Sequence, residues 1–124
     1  MRKILIVDDK KMILKSLYNE LSLENFQVAT LDSIRLIWEY IRDAQPDLVL
    51  LGLRSESFDS WQILNDIKKK MPDLPVLIYI IESHRSMGSL KQAVKEVLKN
   101  GSVSSAFMFH ALKKPESEKS KKIG

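Results

Sequence analysis

Pro46-Asp47-Leu48-Val49-Leu50-Leu51-Gly52-Leu53 holds four aliphatic residues in a row, entered through Pro-Asp and closed by glycine. A run of this kind, too short for a helix and apolar on every side chain, reads as a strand buried on both faces of a parallel sheet. Ile4-Leu5-Ile6-Val7 repeats the pattern and runs into the acidic pair Asp8-Asp9. After the break Met71-Pro72-Asp73-Leu74-Pro75, residues 76–81 repeat it again. A short strand is expected around residues 26–31.

Between these runs the apolar period changes from continuous to helical. Ile13, Leu14, Leu17, Tyr18 and Leu21 share one helical face. Ile34, Ile37, Trp38 and Ile41 form a second stripe, with Ser33 as the predicted N-cap. In the third helix Ser60 is the predicted cap, and Trp61, Leu64, Ile67 and Met71 are expected to face inward. Lys68, Lys69 and Lys70 then fall near the C-terminus, where positive charge suits the helix dipole. Strands alternating with helices of about a dozen residues predict right-handed βαβ units. The expected fold is α/β and flavodoxin-like: a doubly wound parallel sheet of order 2-1-3-4, helices on both faces, with the fifth strand left open. In such sheets sites form beyond the carboxyl ends of the strands, which places Asp8, Asp9, Gly52 and Ile80 on one rim.

At 124 residues the chain is long enough for one domain with its own core. Its net charge of +4 is concentrated at the end. Residues 113–124 carry five lysines and two glutamates, a net +3, which leaves about +1 for the rest. The charge therefore reads as a solvated, flexible tail, and nucleic-acid binding is not expected of the domain. Cysteine is absent, which removes disulfide and thiol chemistry and fits a reducing compartment. No apolar stretch reaches transmembrane length, and Met1-Arg2-Lys3 leads directly into a strand; a cytoplasmic location without membrane contact is expected. His84 is expected in a loop and His110 in an apolar segment, so neither suggests a metal site. No glycine-rich phosphate loop follows the first strand.

The ordered set Ile4-Leu5-Ile6-Val7-Asp8-Asp9, Pro46-Asp47-Leu48-Val49-Leu50-Leu51, Asp59 before a helix, and Leu74-Pro75-Val76-Leu77-Ile78 resembles a receiver domain of two-component response regulators. The resemblance implies that Asp8 and Asp9 occupy the positions that help hold magnesium. It places Gly52 where the family carries its phosphoacceptor aspartate, and Ile80 where it carries the serine or threonine that bonds the phosphoryl group. Ile81 replaces a small neighbour, and Asp59-Ser60 stands where Asp-Gly is favoured. Lys114-Pro115 offers the family's lysine-proline pair.

Glycine has no side chain with which to attack phosphorus or bind a cation, and isoleucine has no hydroxyl. The chain is therefore expected to be a degenerate receiver, a pseudo-receiver, without enzymatic activity. It would signal by protein–protein contact independent of phosphorylation, with a sensor kinase or an output domain as partner, or as a homodimer. No cofactor is expected beyond weak magnesium binding at Asp8 and Asp9, which serve equally well as strand-end and cap residues. Two alternatives belong beside this reading. One is a working receiver with a substitute acceptor, for which Asp47, Asp59, Ser55 and Ser57 are poorly placed. The other is a small-ligand or anion module at the vacated rim.

The domain is expected over residues 1–112, atypical after residue 82. Two registers compete there. In one, residues 84–100 are a long fourth helix, residues 106–112 the fifth strand, and Lys114 the family lysine. In the other, residues 89–101 are the final helix and residues 104–113 a short exit helix, so that the fourth helix and fifth strand are missing. Leu90, Val94, Val97 and Leu98 form a stripe ending at Asn100-Gly101, which favours the second. The alternation of Phe107, Phe109 and Ala111 with Met108, His110 and Leu112 favours the first.

Overall fold

Strands β1 (Lys3–Val7), β2 (Gln27–Leu31), β3 (Leu48–Gly52) and β4 (Val76–Tyr79) alternate with helices α1 (Lys11–Ser22), α2 (Ile37–Ala44), α3 (Ser60–Lys70) and α4 (His84–Asn100). The computed structural model describes residues 1–100. All strand pairs are parallel, as the apolar runs predict, and their order is the β2-β1-β3-β4 expected of a flavodoxin-like sheet. Right-handed crossovers put α1 on one face and α2 and α3 on the other. Lys91 and Lys95 of α4 pair with Glu20 and Glu24 at 2.9 and 2.7 Å, which seats α4 beside α1. On the opposite face the Lys70 ammonium lies 4.3 Å from the Trp38 ring centroid and joins α3 to α2.

The core sits where the continuous runs meet. Every residue of β3 and β4 is buried, and in β1 only Lys3 is not. β2 at the sheet edge is half-buried at Val28, Ala29 and Leu31 and exposed at Gln27 and Thr30. Helices contribute Leu14, Leu17 and Leu21, then Ile37 and Ile41, then Ile63, Leu64 and Ile67, and finally Leu90, Ala93, Val94, Val97 and Leu98. The spacing of each set is that of one helix face, and burying each such side chain stabilises the fold by roughly 1.5–3 kcal/mol.

Several local expectations are corrected. α2 begins at Ile37 rather than at Ser33, whose hydroxyl accepts only the Arg35 amide at 3.4 Å in an exposed turn before the helix. The cap of α3 is Asp59, which accepts the Trp61 and Gln62 amides; Ser60 points inward. Ile63 fills the core position expected of Trp61, which is half-buried, and Met71 is 37% exposed. β4 stops at Tyr79, two residues before the expected end. His84 opens α4 instead of lying in a loop. α4 thus has the bounds of the first register, residues 84–100, and lies beside α1. The readings of residues 104–113 and of Lys114 lie outside the described residues, as does His110.

Candidate functional site

β1, β3 and β4 lie side by side and end at the same rim. Val7 is paired with Leu51, and Gly52 with Tyr79, so Asp8, Gly52 and Tyr79 form a row across three adjacent strands. Gly52 leaves room that the Asp8 carboxylate fills: a β-carbon on residue 52 would stand 2.6 Å from Asp8 Cγ. Tyr79 reaches the same place from β4, and its hydroxyl donates to Asp8 Oδ2 at 2.7 Å. The Lys10 amide donates to Asp8 Oδ1 at 2.9 Å. Asp8 is 4% exposed and Tyr79 2%, so this row is inside the protein. Burial, reinforced by the neighbouring Asp8 carboxylate, pushes the Tyr79 hydroxyl well above its usual range and keeps it a donor.

Asp9 faces the loop after β3. Its Oδ2 accepts the backbone N–H of Glu56 at 2.8 Å and of Ser57 at 2.9 Å. Its Oδ1 is buried and has no hydrogen-bond partner; the Lys10 ammonium lies 3.9 Å away and is equally far from Glu56 Oε2. On the other side of the same loop Arg54 forms a 2.7 Å ion pair with Glu82, beyond β4. Beneath it the Ser60 hydroxyl donates to the Gly52 carbonyl at 2.5 Å. The β3–α3 loop is therefore tied to both neighbouring rim loops and to the strand it leaves.

Burial alone would raise the Asp9 carboxyl. The Glu56 amide, the Ser55 hydroxyl and the amide and hydroxyl of Ser57 outweigh it and hold the group below its ordinary value of 3.8. A carboxyl depressed in the folded state stabilises the fold fully above the ordinary value, and that contribution is lost as pH falls through the depressed one. Asp9→Asn is accordingly expected to flatten the acid limb of the stability curve below about pH 5. Urea midpoints of both proteins over a pH series measure this, and parallel acid limbs would refute it.

Of the residues singled out in the sequence, Asp8, Asp9 and Gly52 come together. Ile80 lies just past β4, half-buried against the core. Lys114 lies outside the described residues. Asp47 is at the opposite end of the sheet, accepting the Lys3 amide at 2.8 Å. Three contributors escaped the sequence reading: Tyr79, Ser60 and Lys10. Tyr79 was legible as the one phenol in an otherwise aliphatic strand, a residue type whose hydroxyl needs a partner when buried. Asp8 and Asp9 are the carboxylates that follow β1 on this rim, and Asp9 Oδ1 is their one oxygen without a hydrogen bond.

The fold agrees with comparison to known proteins. Residues 4–115 match the family model of the response regulator receiver domain. The chain belongs to that family. This receiver domain is 33% identical over 91 residues to the transcriptional regulatory protein GlrR of Escherichia coli, covering 73% of the chain and 19% of GlrR. It is 32% identical over 75 residues to the DNA-binding transcriptional regulator NtrC of Rhizobium meliloti, covering 60% of the chain and 16% of NtrC. The receiver thus spans about a fifth of these curated relatives. Among solved structures, the N-terminal domain of a response regulator receiver protein from Methanoculleus marisnigri superposes with a TM-score of 0.61 at 27% identity, over 79% of this chain and 97% of that one. The response regulator TrrA of Thermotoga maritima, in complex with the histidine kinase ThkA, gives a TM-score of 0.70 over 79% and 99% of the two chains; at 22% identity the likeness is one of fold. No helix of the described residues is long and apolar enough to cross a membrane.

Proposed function

We propose that this receiver domain signals through protein–protein contact without aspartyl phosphorylation. The observation that carries the reading is Gly52, which ends β3 directly beside the buried Asp8 and offers no nucleophile there. Ile80, without a hydroxyl, supports it. In-line transfer needs the acceptor held against the donor, and the other oxygens near the rim serve elsewhere: Asp59 caps α3, and Ser60 is bonded to Gly52. The partner is a sensor kinase or an output domain, by analogy with the kinase complex of TrrA and with the transcriptional regulators GlrR and NtrC. An anion module at the rim is less favoured, because Lys10 and Arg54 already face carboxylates.

Intact mass after incubation with magnesium and acetyl phosphate tests the proposal. The expected spectrum is that of the unmodified chain, alongside a phosphorylated active receiver as control. A phosphoryl adduct on this chain would overturn the reading, and peptide mapping would then name the substitute acceptor.

A further inference from the structure

The acidic pair after β1 has the position of a cation site and the surroundings of a closed one. Magnesium requires near-octahedral oxygen ligation at about 2.0–2.1 Å and loses its water reluctantly. Gly52 contributes no carboxylate. Asp8 directs one oxygen to the Lys10 amide and the other to the Tyr79 hydroxyl. Asp9 directs Oδ2 to two loop amides, which leaves Oδ1, and the charge nearest to it is the Lys10 ammonium. Among the described residues no group of three His, Cys, Asp or Glu side chains could hold a metal ion. The donor set does not fit magnesium.

We propose that Tyr79 and Lys10 replace the metal, closing Asp8 and Asp9 into a metal-independent clasp whose shape depends on the bare α-carbon of Gly52. The geometry gives the reason. Paired residues of neighbouring parallel strands point to the same face, and a β-carbon on residue 52 would enter the space of the Asp8 carboxylate that the Tyr79 hydroxyl bonds. The missing β-carbon of Gly52 lets Asp8 lean over the end of β3, and that lean brings Oδ2 to the Tyr79 hydroxyl. Any side chain at 52 displaces the carboxylate and breaks the bond. Gly52 and Tyr79 are thus one device on two strands. Asp9 and Lys10 complete it by drawing the β3–α3 loop onto β1 without an ion between them. The clasp stands apart from how the domain signals: a chain phosphorylated at a distant residue would still carry it.

Two measurements test this. Amide chemical shifts of the wild-type chain are followed while magnesium chloride is raised to millimolar concentrations at constant ionic strength. The expected result is no saturable shift at residues 8–10 or 52–57; saturable shifts confined to these residues would overturn the proposal. A double-mutant cycle on Gly52→Ala and Tyr79→Phe, read by urea unfolding, tests the coupling. Since either change breaks the same bond, the double variant is expected to unfold with a constant about tenfold less perturbed than the product of the single effects. Additive effects would overturn it. If Gly52→Ala does not fold, Asp8→Asn with Tyr79→Phe gives the cycle on the bond itself, with the same two outcomes. None of these readouts depends on phosphoryl transfer, so the clasp and the signalling proposal fail separately.

Discussion

Gly52→Asp is expected to destabilise the domain by about 3 kcal/mol and to leave it unphosphorylated, although it supplies the aspartate that the receiver resemblance implies at this position. The new β-carbon would lie 2.6 Å from Asp8 Cγ, well inside contact distance, so the Asp8 carboxylate has to turn away. Turning it strips the buried Tyr79 hydroxyl of its acceptor. An unpaired buried hydroxyl costs about 1–3 kcal/mol, and forcing extra atoms into a packed site costs a similar amount. A second carboxylate then sits against the first with no cation between them, which adds repulsion. Urea unfolding with a lowered midpoint and unchanged slope, together with an unmodified intact mass, is the expected outcome. Wild-type stability in this variant would show that the rim is more open than the row Asp8–Gly52–Tyr79 implies. Gly52→Asp/Tyr79→Phe, which removes the stranded hydroxyl, is expected to regain part of the loss.

Val94→Asp is expected to cost about 3–5 kcal/mol and to release α4. Val94 is fully buried, in the middle of the stripe Leu90, Ala93, Val94, Val97 and Leu98. A carboxylate there would sit among the apolar residues of the stripe, and the two lysines nearest to it in the helix, Lys91 and Lys95, are already engaged with Glu20 and Glu24. Hydrogen exchange should accelerate over residues 84–99 before the amides of β1 and β3 respond. Lys95→Ala is the contrasting case, because a partly exposed ion pair is worth less than about 1 kcal/mol. Retained protection across α4 in the Val94 variant would mean that the helix does not depend on this face.

Gly52 itself was plain in the sequence, because a strand-end glycine after four aliphatic residues needs no neighbour to be read. What surrounds it was not. Tyr79 is 71 residues from Asp8 along the chain, and nothing in the spacing of Leu74-Pro75-Val76-Leu77-Ile78 tells where a phenol will point. Ser60 looked like a helix cap, the commonest role for serine before an apolar stripe. Asp59, one residue earlier, took that role and turned Ser60 toward the Gly52 carbonyl. The start of α2 was misplaced for a related reason: capping preference is a local rule that holds only when the backbone enters the helix at that residue.

The order of elements, the parallel sheet and the glycine at the end of the third strand were determined by the sequence itself. They rest on short-range signals: unbroken aliphatic runs, helical stripes, proline breaks and the right-handed crossover. Tertiary structure alone decided that Asp8 is bonded to Tyr79, that Asp9 accepts the Glu56 and Ser57 amides, and that α4 lies against α1. Each is a contact between residues brought together by strand register or helix docking, and register is a property of paired strands that no single strand carries.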